Sequence, residues 1–295
     1  MFLLAVHFKG IHMRLRKARL VVPLVLGTLA WQAAQAQEAA PATQFTVGAK
    51  LWRAAWLSYL PAAYTGIGAN GAPAVGDSVN AVEGTTRTSV LPSLGLRYGK
   101  FFASASYGRF TSDFQTNTSP VLTPSGQTVI TSRLDHFKRR ESDLNIGYFL
   151  TPEMGIALGY KDATETRDTS LGIAPQPSRL LTTKARGVLL GAVANFAVSD
   201  KLRFYGQAGY GPARIRLAFT DPTLGNPKAN ARYLIGEFGL SYPVFGGTNG
   251  HGAATAALGY RTQTVKTDSY SSAFQQGRDL RDVRDGMVLT LNVAL

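Results

Sequence analysis

The sequence contains no cysteine among its 295 residues. This absence excludes a disulfide-stapled scaffold, a cysteine-ligated metal site and a lipid anchor attached to a cysteine after a leader. Histidine is also scarce, with four in the whole chain. Because a metal centre needs clustered ligands, the sequence predicts no metal site and no cofactor.

Long apolar runs are missing as well, apart from one near the start. Residues 20–31 form an apolar run of about twelve residues, which is too short to span roughly 30 Å of hydrocarbon as a helix. Four basic residues precede it: Arg14, Arg16, Lys17 and Arg19. A small-x-small cleavage site, Ala34-Gln35-Ala36, follows it. We therefore predict a signal peptide over residues 1–36, with Met13 as the true start, and a short polar tail over 37–44.

Acidic residues are few relative to basic ones, 18 against 31, so the formal net charge is +13. Loss of the predicted leader removes five basic residues and no acidic one, which leaves about +8. Such a charge would suggest nucleic acid as the partner of a cytoplasmic protein. For an exported chain, lipopolysaccharide phosphates or anions inside a channel match it better.

What the chain does contain is repeated alternation of apolar and polar residues. In the segment 154–161, for example, Met154, Ile156 and Leu158 point to one face, and the small or polar residues between them point to the other. Ten such segments are predicted, near 45–57, 87–98, 101–112, 133–150, 154–165, 182–198, 201–216, 230–244, 253–265 and 284–295. All are interpreted as strands.

The connections between these strands alternate between short and long. Short ones fall near 99–100, 151–153, 199–201 and 245–252, and long ones near 58–86, 113–132, 166–181, 217–229 and 266–283. A soluble β-sandwich also has alternating strands, but it does not explain two kinds of connection. The pattern predicts an all-β fold, an antiparallel up-and-down transmembrane β-barrel with short periplasmic turns and long extracellular loops. Eight or twelve strands remain alternatives to ten.

Aromatic residues cluster near the predicted strand ends, which indicates girdles at the two membrane interfaces. Nine flank the short turns: Tyr98, Phe101, Phe102, Tyr148, Phe149, Phe196, Phe204, Tyr242 and Phe245. Nine lie towards the long connections: Trp52, Trp56, Tyr59, Tyr107, Phe110, Tyr160, Tyr210, Tyr233 and Tyr260. Core positions are the alternative for any one of them.

The last predicted strand has an apolar face at every second residue: Met287, Leu289, Leu291, Val293 and Leu295. This alternation resembles the C-terminal assembly signal of Gram-negative outer-membrane barrels, although that signal normally ends in an aromatic residue and this chain ends in Leu295. The resemblance is to small outer-membrane barrels as a class. It implies an outer-membrane location, and as partners the barrel-assembly machinery, periplasmic chaperones, outer-membrane lipid and lipopolysaccharide. We expect a monomer.

The phase of the strands also predicts which charged side chains point into the barrel. The inward set is Lys50, Arg97, Arg139, Glu141, Asp143, Lys161, Arg203, Glu237 and Arg261. One interpretation is an ion-pair network that closes a narrow lumen. The other is a basic constriction that favours small anions. Several inward glycines leave room for water or a ligand and keep the second interpretation open.

Four further cations are predicted to face outward near the long connections: Lys138, Arg140, Lys184 and Arg186. Basic residues just above the lipid band can bind lipopolysaccharide phosphates. Ordinary solvated charge at the rim is the alternative.

A catalytic site is not predicted. The strand number resembles that of outer-membrane omptin proteases, which use paired aspartates with an Asp-His dyad at the outer rim. Here Asp135 and His136 are adjacent in one strand, so their side chains point to opposite faces and cannot form a dyad together. Outer-membrane lipid A deacylases and phospholipases pair a serine with a histidine. Ser132 and Ser142 lie near His136 in sequence, but that spacing specifies no site, and His251 falls in a predicted periplasmic turn.

Two functional hypotheses follow. The first is porin-like passive passage of small anionic or amphiphilic solutes, with the inward basic residues setting the selectivity. The second is a surface protein with a closed lumen that acts through its extracellular loops, in adhesion or in a structural role. An open path past Lys50 and Lys161 would favour the first, and salt-bridged closure at Glu141, Asp143 and Glu237 the second.

Overall fold

The computed structural model consists almost entirely of β-strands. It describes residues 43–59, 82–117, 121–122, 128–129, 132–171, 178–220, 222, 226–246, 252–268 and 280–295; the predicted signal peptide and His251 lie outside these ranges. The strands are β1 (Thr43–Ser58), β2 (Val82–Tyr98), β3 (Phe101–Asn117), β4 (Val121–Leu122), β5 (Thr128–Val129), β6 (Ser132–Phe149), β7 (Met154–Leu171), β8 (Ser178–Ala197), β9 (Arg203–Phe219), β10 (Lys228–Phe245), β11 (Ala254–Thr267) and β12 (Arg281–Ala294). Within the described ranges, no helix has the length and apolarity needed to cross a membrane.

Ten of the strands close into one antiparallel barrel. β1 pairs with β12 on one side and with β2 on the other, so the first and last wall strands meet and leave no open edge. The other wall strands pair with their neighbours along the chain, and β3 pairs directly with β6 because β4 and β5 form a small separate hairpin. The predicted ten-stranded, antiparallel, up-and-down barrel is confirmed.

The connections are on average shorter at one end of the barrel than at the other. At one end, here called the turn end, the wall strands are joined through residues 99–100, 150–153, 198–202 and 246–253, and Thr43 and Leu295 also lie there. At the other, the loop end, the connections are residues 59–81, 118–131, 172–177, 220–227 and 268–280. Gly99 has φ of 57° in the two-residue turn, a conformation that glycine adopts without the steric cost of a side chain.

The strands run further towards the loop end than the sequence predicted. β2 begins at Val82 instead of near residue 87, β3 ends at Asn117 instead of near 112, and β7 ends at Leu171 instead of near 165. Those predicted boundaries were wrong because they followed the apolar alternation. Beyond it the backbone ladder continues with polar residues facing outward, as at the cross-strand pair Asp113 and His136.

A belt of exposed apolar side chains surrounds the wall from the turn end upward. Its members include Phe45, Val47, Leu51, Val90, Leu94, Leu144, Ile146, Met154, Ile156, Leu158, Leu190, Phe238, Leu240, Leu258, Leu289 and Leu291, each between 43 and 69% exposed. The next outward residues towards the loop end are charged in several strands, such as Arg53, Asp162 and Arg186. An apolar surface of this extent is explained if the wall faces hydrocarbon and the charged residues mark where that layer ends.

The interior at the loop end is filled by large apolar side chains. Trp52, Phe114, Phe137 and Tyr233 have no exposed surface, and Trp56 is 2% exposed. The Trp56 ring lies edge-on to both Phe114 and Phe137, with centroid distances of 5.7 Å in each case. Burial of several aromatic rings in contact makes this half of the barrel a packed core.

The prediction of two aromatic girdles was therefore wrong in part. Five of the nine residues assigned to the loop-end girdle point into the barrel: Trp52, Trp56, Tyr59, Phe110 and Tyr233. Tyr107, Tyr160 and Tyr210 do face outward, with 37, 42 and 50% exposure. At the turn end, Phe102 and Phe149 are buried inside. Position near a strand end does not decide the face; the parity of the residue along the strand does.

The inward tryptophans give an expected result that fluorescence can check. The predicted mature protein, residues 37–295, retains only Trp52 and Trp56 of the three tryptophans. Since the barrel wall separates both rings from lipid, brominated acyl chains should quench the fluorescence of the refolded protein only weakly. Phe238→Trp in a Trp52→Phe, Trp56→Phe background is the matched control, because Phe238 is 53% exposed in the apolar belt. Equal quenching of the wild type and the control would contradict the inward placement.

Candidate functional site

The structure places all nine charged residues of the predicted inward set inside the barrel, where none of them is exposed. Arg97 and Arg203 lie apart, near the turn end. The Arg97 Nε donates a hydrogen bond to the Gly99 carbonyl oxygen at 2.9 Å, and the Arg203 Nε donates one to the Asn195 Oδ1 at 2.9 Å. The other seven are joined in one network.

Glu237 on β10 is the centre of the first cluster in this network. Its carboxylate is 2.7 Å from the Lys50 Nζ on β1 and 2.8 Å from the Arg261 guanidinium on β11. The Gln207 side chain on β9 donates a further hydrogen bond at 2.9 Å. Four strands therefore meet at one carboxylate that is 1% exposed.

Asp143 and Lys161 carry the network across the barrel. The Lys161 Nζ donates a hydrogen bond to the Asp143 carboxylate and lies 3.1 Å from the Glu141 Oε1. The Arg261 guanidinium is 3.7 Å from Asp143. Because Arg261 also contacts Glu237, the cluster at Glu237 and the cluster at Glu141 are continuous.

Glu141 on β6 is the centre of the second cluster. Its carboxylate is 2.6 Å from the Arg284 guanidinium and 3.2 Å from that of Arg139, and it also accepts a hydrogen bond from Gln263 at 3.2 Å. Its own exposed fraction is 2%. A buried carboxylate is stabilised only when opposite charges and donors surround it, as they do here.

Arg139 extends this cluster towards the loop end. Its guanidinium is 3.3 Å from Glu165 and 3.6 Å from Asp282. The Trp56 Nε1 donates a hydrogen bond to Asp282 at 2.9 Å. A separate buried pair, Arg167 with Asp135 at 2.8 Å, lies at the same end.

Among the described residues, these ion pairs contain six cations and six anions. They are Lys50, Arg139, Lys161, Arg167, Arg261 and Arg284, with Asp135, Glu141, Asp143, Glu165, Glu237 and Asp282. The interior is therefore closer to electroneutral than the predicted set of six basic and three acidic residues. Arg97 and Arg203 supply the remaining excess of positive charge.

Five of these buried charged residues were not among those predicted from the sequence to point inward: Asp135, Glu165, Arg167, Asp282 and Arg284. The signal was present, since Glu165 and Arg167 have the same parity along β7 as Lys161, and Asp135 the same parity along β6 as Arg139. Arg167 and Asp282 lie beyond the predicted strands. Asp135, Glu165 and Arg284 lie within two residues of the loop-end limits of predicted strands, where the inward parity was not followed.

Aromatic rings enclose the charged groups from the loop end. The Arg284 guanidinium carbon lies 4.1 Å from the centroid of Phe110 and 5.4 Å from those of Trp52 and Trp56. Arg261 lies 5.2 Å from the Trp52 centroid. Stacking of guanidinium groups on aromatic faces offsets part of the desolvation cost and fills the cross-section of the barrel.

Between the network and the turn end lies a cavity of about 130 Å³. Gly95, Gly159, Gly191 and Gly209 contribute to its wall, together with Lys50, Asp143, Lys161, Glu237 and Arg261. Not every inward glycine leaves space: a Cβ on Gly147 would lie 2.2 Å from the ring of Phe102, which occupies that position. A cavity of this size and polarity has room for several water molecules or a small polar ligand.

The four cations predicted outside the barrel do face outward at the loop end, but their surroundings differ. Lys138 pairs with Asp168 at 3.2 Å, and Arg186 pairs with Asp162 at 2.8 Å. Arg140 is directly opposite Arg109 on β3, and Lys184 directly opposite Arg216 on β9. Two of the four therefore have an acidic partner in the wall, and the other two, Arg140 and Lys184, oppose a cation and have no such partner among the described residues.

His136 also faces outward. Its Nδ1 makes a hydrogen bond with the Asp113 carboxylate on β3, and Arg87 contacts the same carboxylate at 2.7 Å. Asp135 points inward to Arg167, as the alternation along the strand required. Ser142 is on the same face as His136 but six residues away, about 20 Å along an extended strand, so the two do not form a nucleophile and base pair. The part of the chain that the structure describes contains no group of three candidate metal ligands.

The terminal strand β12 joins the wall with its apolar face outward. Met287, Leu289, Leu291 and Leu295 are between 46 and 56% exposed. The backbone N–H of Leu295 donates a hydrogen bond to the carbonyl oxygen of Phe45 at 2.9 Å, so pairing with β1 extends to the last residue. Closure of the barrel therefore depends on this strand.

These features define a class: a ten-stranded barrel with an apolar outer belt and an interior filled by ion pairs and aromatic rings. No family model matches the sequence, and no curated protein is similar to it at a significant level. Among solved structures, the chain is similar to the outer membrane protease OmpT from Escherichia coli, with 10% identity, a TM-score of 0.42, and 86% of this chain and 96% of that one covered. The chain is also similar to the Pseudomonas putida toluene transporter TodX, with 8% identity, a TM-score of 0.32, and 87% of this chain and 90% of that one covered. For the Neisserial surface protein A the identity is 13% and the TM-score 0.30, with 85% of this chain and 98% of that one covered. The function proposed below rests on the geometry of this chain itself.

Proposed function

We propose that this protein is an outer-membrane surface protein whose barrel is sealed by its own side chains and whose long connections act outside the cell. One observation carries this proposal: the interior is crossed by a continuous network of buried ion pairs with a packed aromatic core above it. A passage for solutes would need an open path through the same cross-section.

The closure involves most of the wall. The ion pairs from Glu237 to Glu165 join side chains of β1, β6, β7, β10, β11 and β12. The aromatic core contains Phe110 and Phe114 from β3, a strand that has no part in these ion pairs. It also contains Trp52 and Trp56 from β1. Opening a path would separate several buried charges at once, each of which is costly to leave without its partner.

The orientation that we propose puts the turn end in the periplasm and the loop end outside. Export by the predicted signal peptide leads to insertion from the periplasmic side, and bacterial barrels have short periplasmic turns and longer extracellular loops. The terminal strand, with its outward apolar face, would be the segment read by the assembly machinery. Five connections, of which the longest runs from residue 59 to 81, are then available for contact with partners outside the cell.

This proposal predicts electrical silence. The refolded protein Gln37–Leu295 should give no steady conductance in a planar bilayer, because the network and the aromatic core occupy the lumen. The measurement needs an independent sign that the inserted protein is folded, such as the shift in gel mobility on heating that compact barrels give. Steady conductance with anion preference, reduced by Arg203→Glu or Lys161→Glu, would overturn the closed barrel and establish passive passage.

A second candidate function is passage or binding of a small polar solute from the turn end. The cavity of about 130 Å³ supports it, since charged groups and glycines line its wall. In that case Lys161, Asp143 and Arg261 would form a gate that opens transiently. Brief, infrequent openings in the same bilayer recordings would favour this candidate over a permanently sealed lumen.

A further inference from the structure

Six basic side chains form a cluster on the outer surface of the wall at the loop end. β8, β9 and β10 contribute two each, and all six are exposed: Lys184, Arg186, Arg214, Arg216, Lys228 and Arg232. They are called the basic face below. Of these six, only Lys184 and Arg186 were predicted from the sequence to face outward, because the outward parity of β9 and β10 was not followed beyond the apolar belt.

The strand register places like charges directly opposite one another in the basic face. Arg216 pairs with Lys184 on one side and with Lys228 on the other, so one row of the sheet is basic across three strands. In the next outward row, Arg214 pairs with Arg186. Neighbouring strands are ~4.8 Å apart and alternate residues on one strand ~6.7 Å apart, so these charges lie within a short distance of each other.

This arrangement is unfavourable for the protein alone, because like charges directly opposite in a sheet destabilise it. Acidic residues lie only at the borders of the basic face within the described residues: Asp162 on β7, paired with Arg186 at 2.8 Å, and Asp268 just after β11. Two other outward cations at the loop end are neutralised by acidic residues of the wall. Arg87 pairs with Asp113 at 2.7 Å, and Lys138 with Asp168 at 3.2 Å.

The height of the basic face relative to the apolar belt indicates the ligand. Tyr210 pairs with Leu190 and Leu234, and these three outward side chains are 50, 69 and 47% exposed. Arg232 pairs with Pro212 in the next outward row towards the loop end, and the rows of Arg214 and Arg216 follow. The cations therefore begin where the hydrocarbon-facing surface ends, which is the level of lipid headgroups.

We propose that the basic face binds lipopolysaccharide of the outer leaflet through the phosphate groups of its lipid anchor. Arginine guanidinium groups hold phosphate oxygens with paired, charge-assisted hydrogen bonds, and the two lysines add point charges. The acyl chains of the same lipid lie against Leu190, Tyr210 and Leu234. The inference depends on the proposed orientation of the barrel, in which the loop end faces outward.

The test compares two variants of the refolded protein in detergent, titrated with purified lipopolysaccharide and followed by native mass spectrometry. The first variant combines four substitutions in the basic face: Lys184→Gln, Arg214→Gln, Arg216→Gln and Lys228→Gln. The control variant combines Arg87→Gln and Lys138→Gln. These substitutions remove two outward cations at the loop end that have acidic partners. We expect lipopolysaccharide affinity to fall by at least about tenfold in the first variant and to change by less than about twofold in the control.

Stability without lipid separates ligand binding from a structural role. Because the substitutions in the basic face remove repulsion between opposed cations, the lipid-free variant should unfold at the same denaturant concentration as the wild type or at a higher one. Lower lipid-free stability together with unchanged lipopolysaccharide affinity would overturn the proposal. Equal affinity of the wild type for dephosphorylated lipopolysaccharide would also overturn it, since that result removes the lipid phosphate as the recognised group.

The orientation is tested independently of binding. Since the chain has no cysteine, a single introduced thiol can be labelled specifically. In intact cells a membrane-impermeant maleimide should label Ser271→Cys, in the connection 268–280, and should not label Ser199→Cys, in the turn 198–202. The reverse pattern would refute the proposed orientation and with it the proposed function, whereas the affinities in detergent would still decide whether the basic face binds the lipid.

Discussion

Glu141→Gln should lower the free energy of unfolding of the barrel by about 3–5 kcal/mol. The Glu141 carboxylate is in contact with Arg284 at 2.6 Å, Arg139 at 3.2 Å and Lys161 at 3.1 Å, and it is 2% exposed. Neutralising it leaves three buried cations with one anion fewer, and their burial away from bulk water makes the unbalanced charge costly. Urea unfolding of the protein in lipid vesicles, followed by tryptophan fluorescence, measures the effect.

Two comparisons make this result specific to the network. Glu153→Gln removes a carboxylate from a short turn, for which the structure gives no ion pair among the described residues, and should change the stability by less than about 0.5 kcal/mol. Adding Arg284→Leu to Glu141→Gln removes one of the uncompensated cations and should recover part of the loss. If Glu141→Gln unfolds like the wild type, the buried ion pairs do not hold the interior together.

Trp52→Ala is the second substitution with a large expected effect, again about 3–5 kcal/mol of lost stability. The Trp52 ring has no exposed surface, lies edge-on to Phe110 at 5.5 Å, and contacts the guanidinium groups of Arg261 at 5.2 Å and Arg284 at 5.4 Å. Its removal creates a cavity where the ion-pair network meets the aromatic core. Both the packing and the shielding of two cations are lost.

The conservative variant Trp52→Phe keeps an apolar ring in the same place and should cost less than half as much as Trp52→Ala. Its unfolding is measured by far-ultraviolet circular dichroism, because the substitution also changes the fluorescence. Equal stability of both variants and the wild type would mean that the interior at Trp52 is not packed. That outcome would also weaken the closed lumen on which the proposed function rests.

The balance between the two functional hypotheses changes once the interior is seen as a whole. The nine charged residues predicted to point inward comprise six basic and three acidic ones. This excess of positive charge is compatible with an anion-selective constriction. The structure adds Asp135, Glu165 and Asp282 to the acids, and Arg167 and Arg284 to the bases, and joins most of the set through contacts of 2.6–3.7 Å. Charge that is neutralised inside the barrel is not available to select solutes. The hypothesis of a surface protein with a closed lumen is therefore better supported than that of an anion-selective channel.

The sequence by itself determined the architecture of this protein. Strand parity is a local property, since successive side chains of a strand point to opposite faces, and the inward positions of Lys50, Glu141 and Glu237 could therefore be read from alternation alone. The two kinds of connection predicted the up-and-down order and ten strands, with eight and twelve as alternatives that the closed ten-stranded barrel excludes. The apolar face of β12 likewise follows from residues 287–295 without reference to any other strand.

Only the tertiary structure decided what the inward and outward side chains do. Whether Glu141 meets Arg284 depends on the pairing of β6 and β12 with their neighbours around a closed wall, and the two residues are 143 positions apart in the sequence. The opposition of Lys184, Arg216 and Lys228 depends in the same way on the register of three strands. Register and closure are set by the summed pairing of all ten strands, so neither the filled interior nor the basic face can be predicted from any single segment.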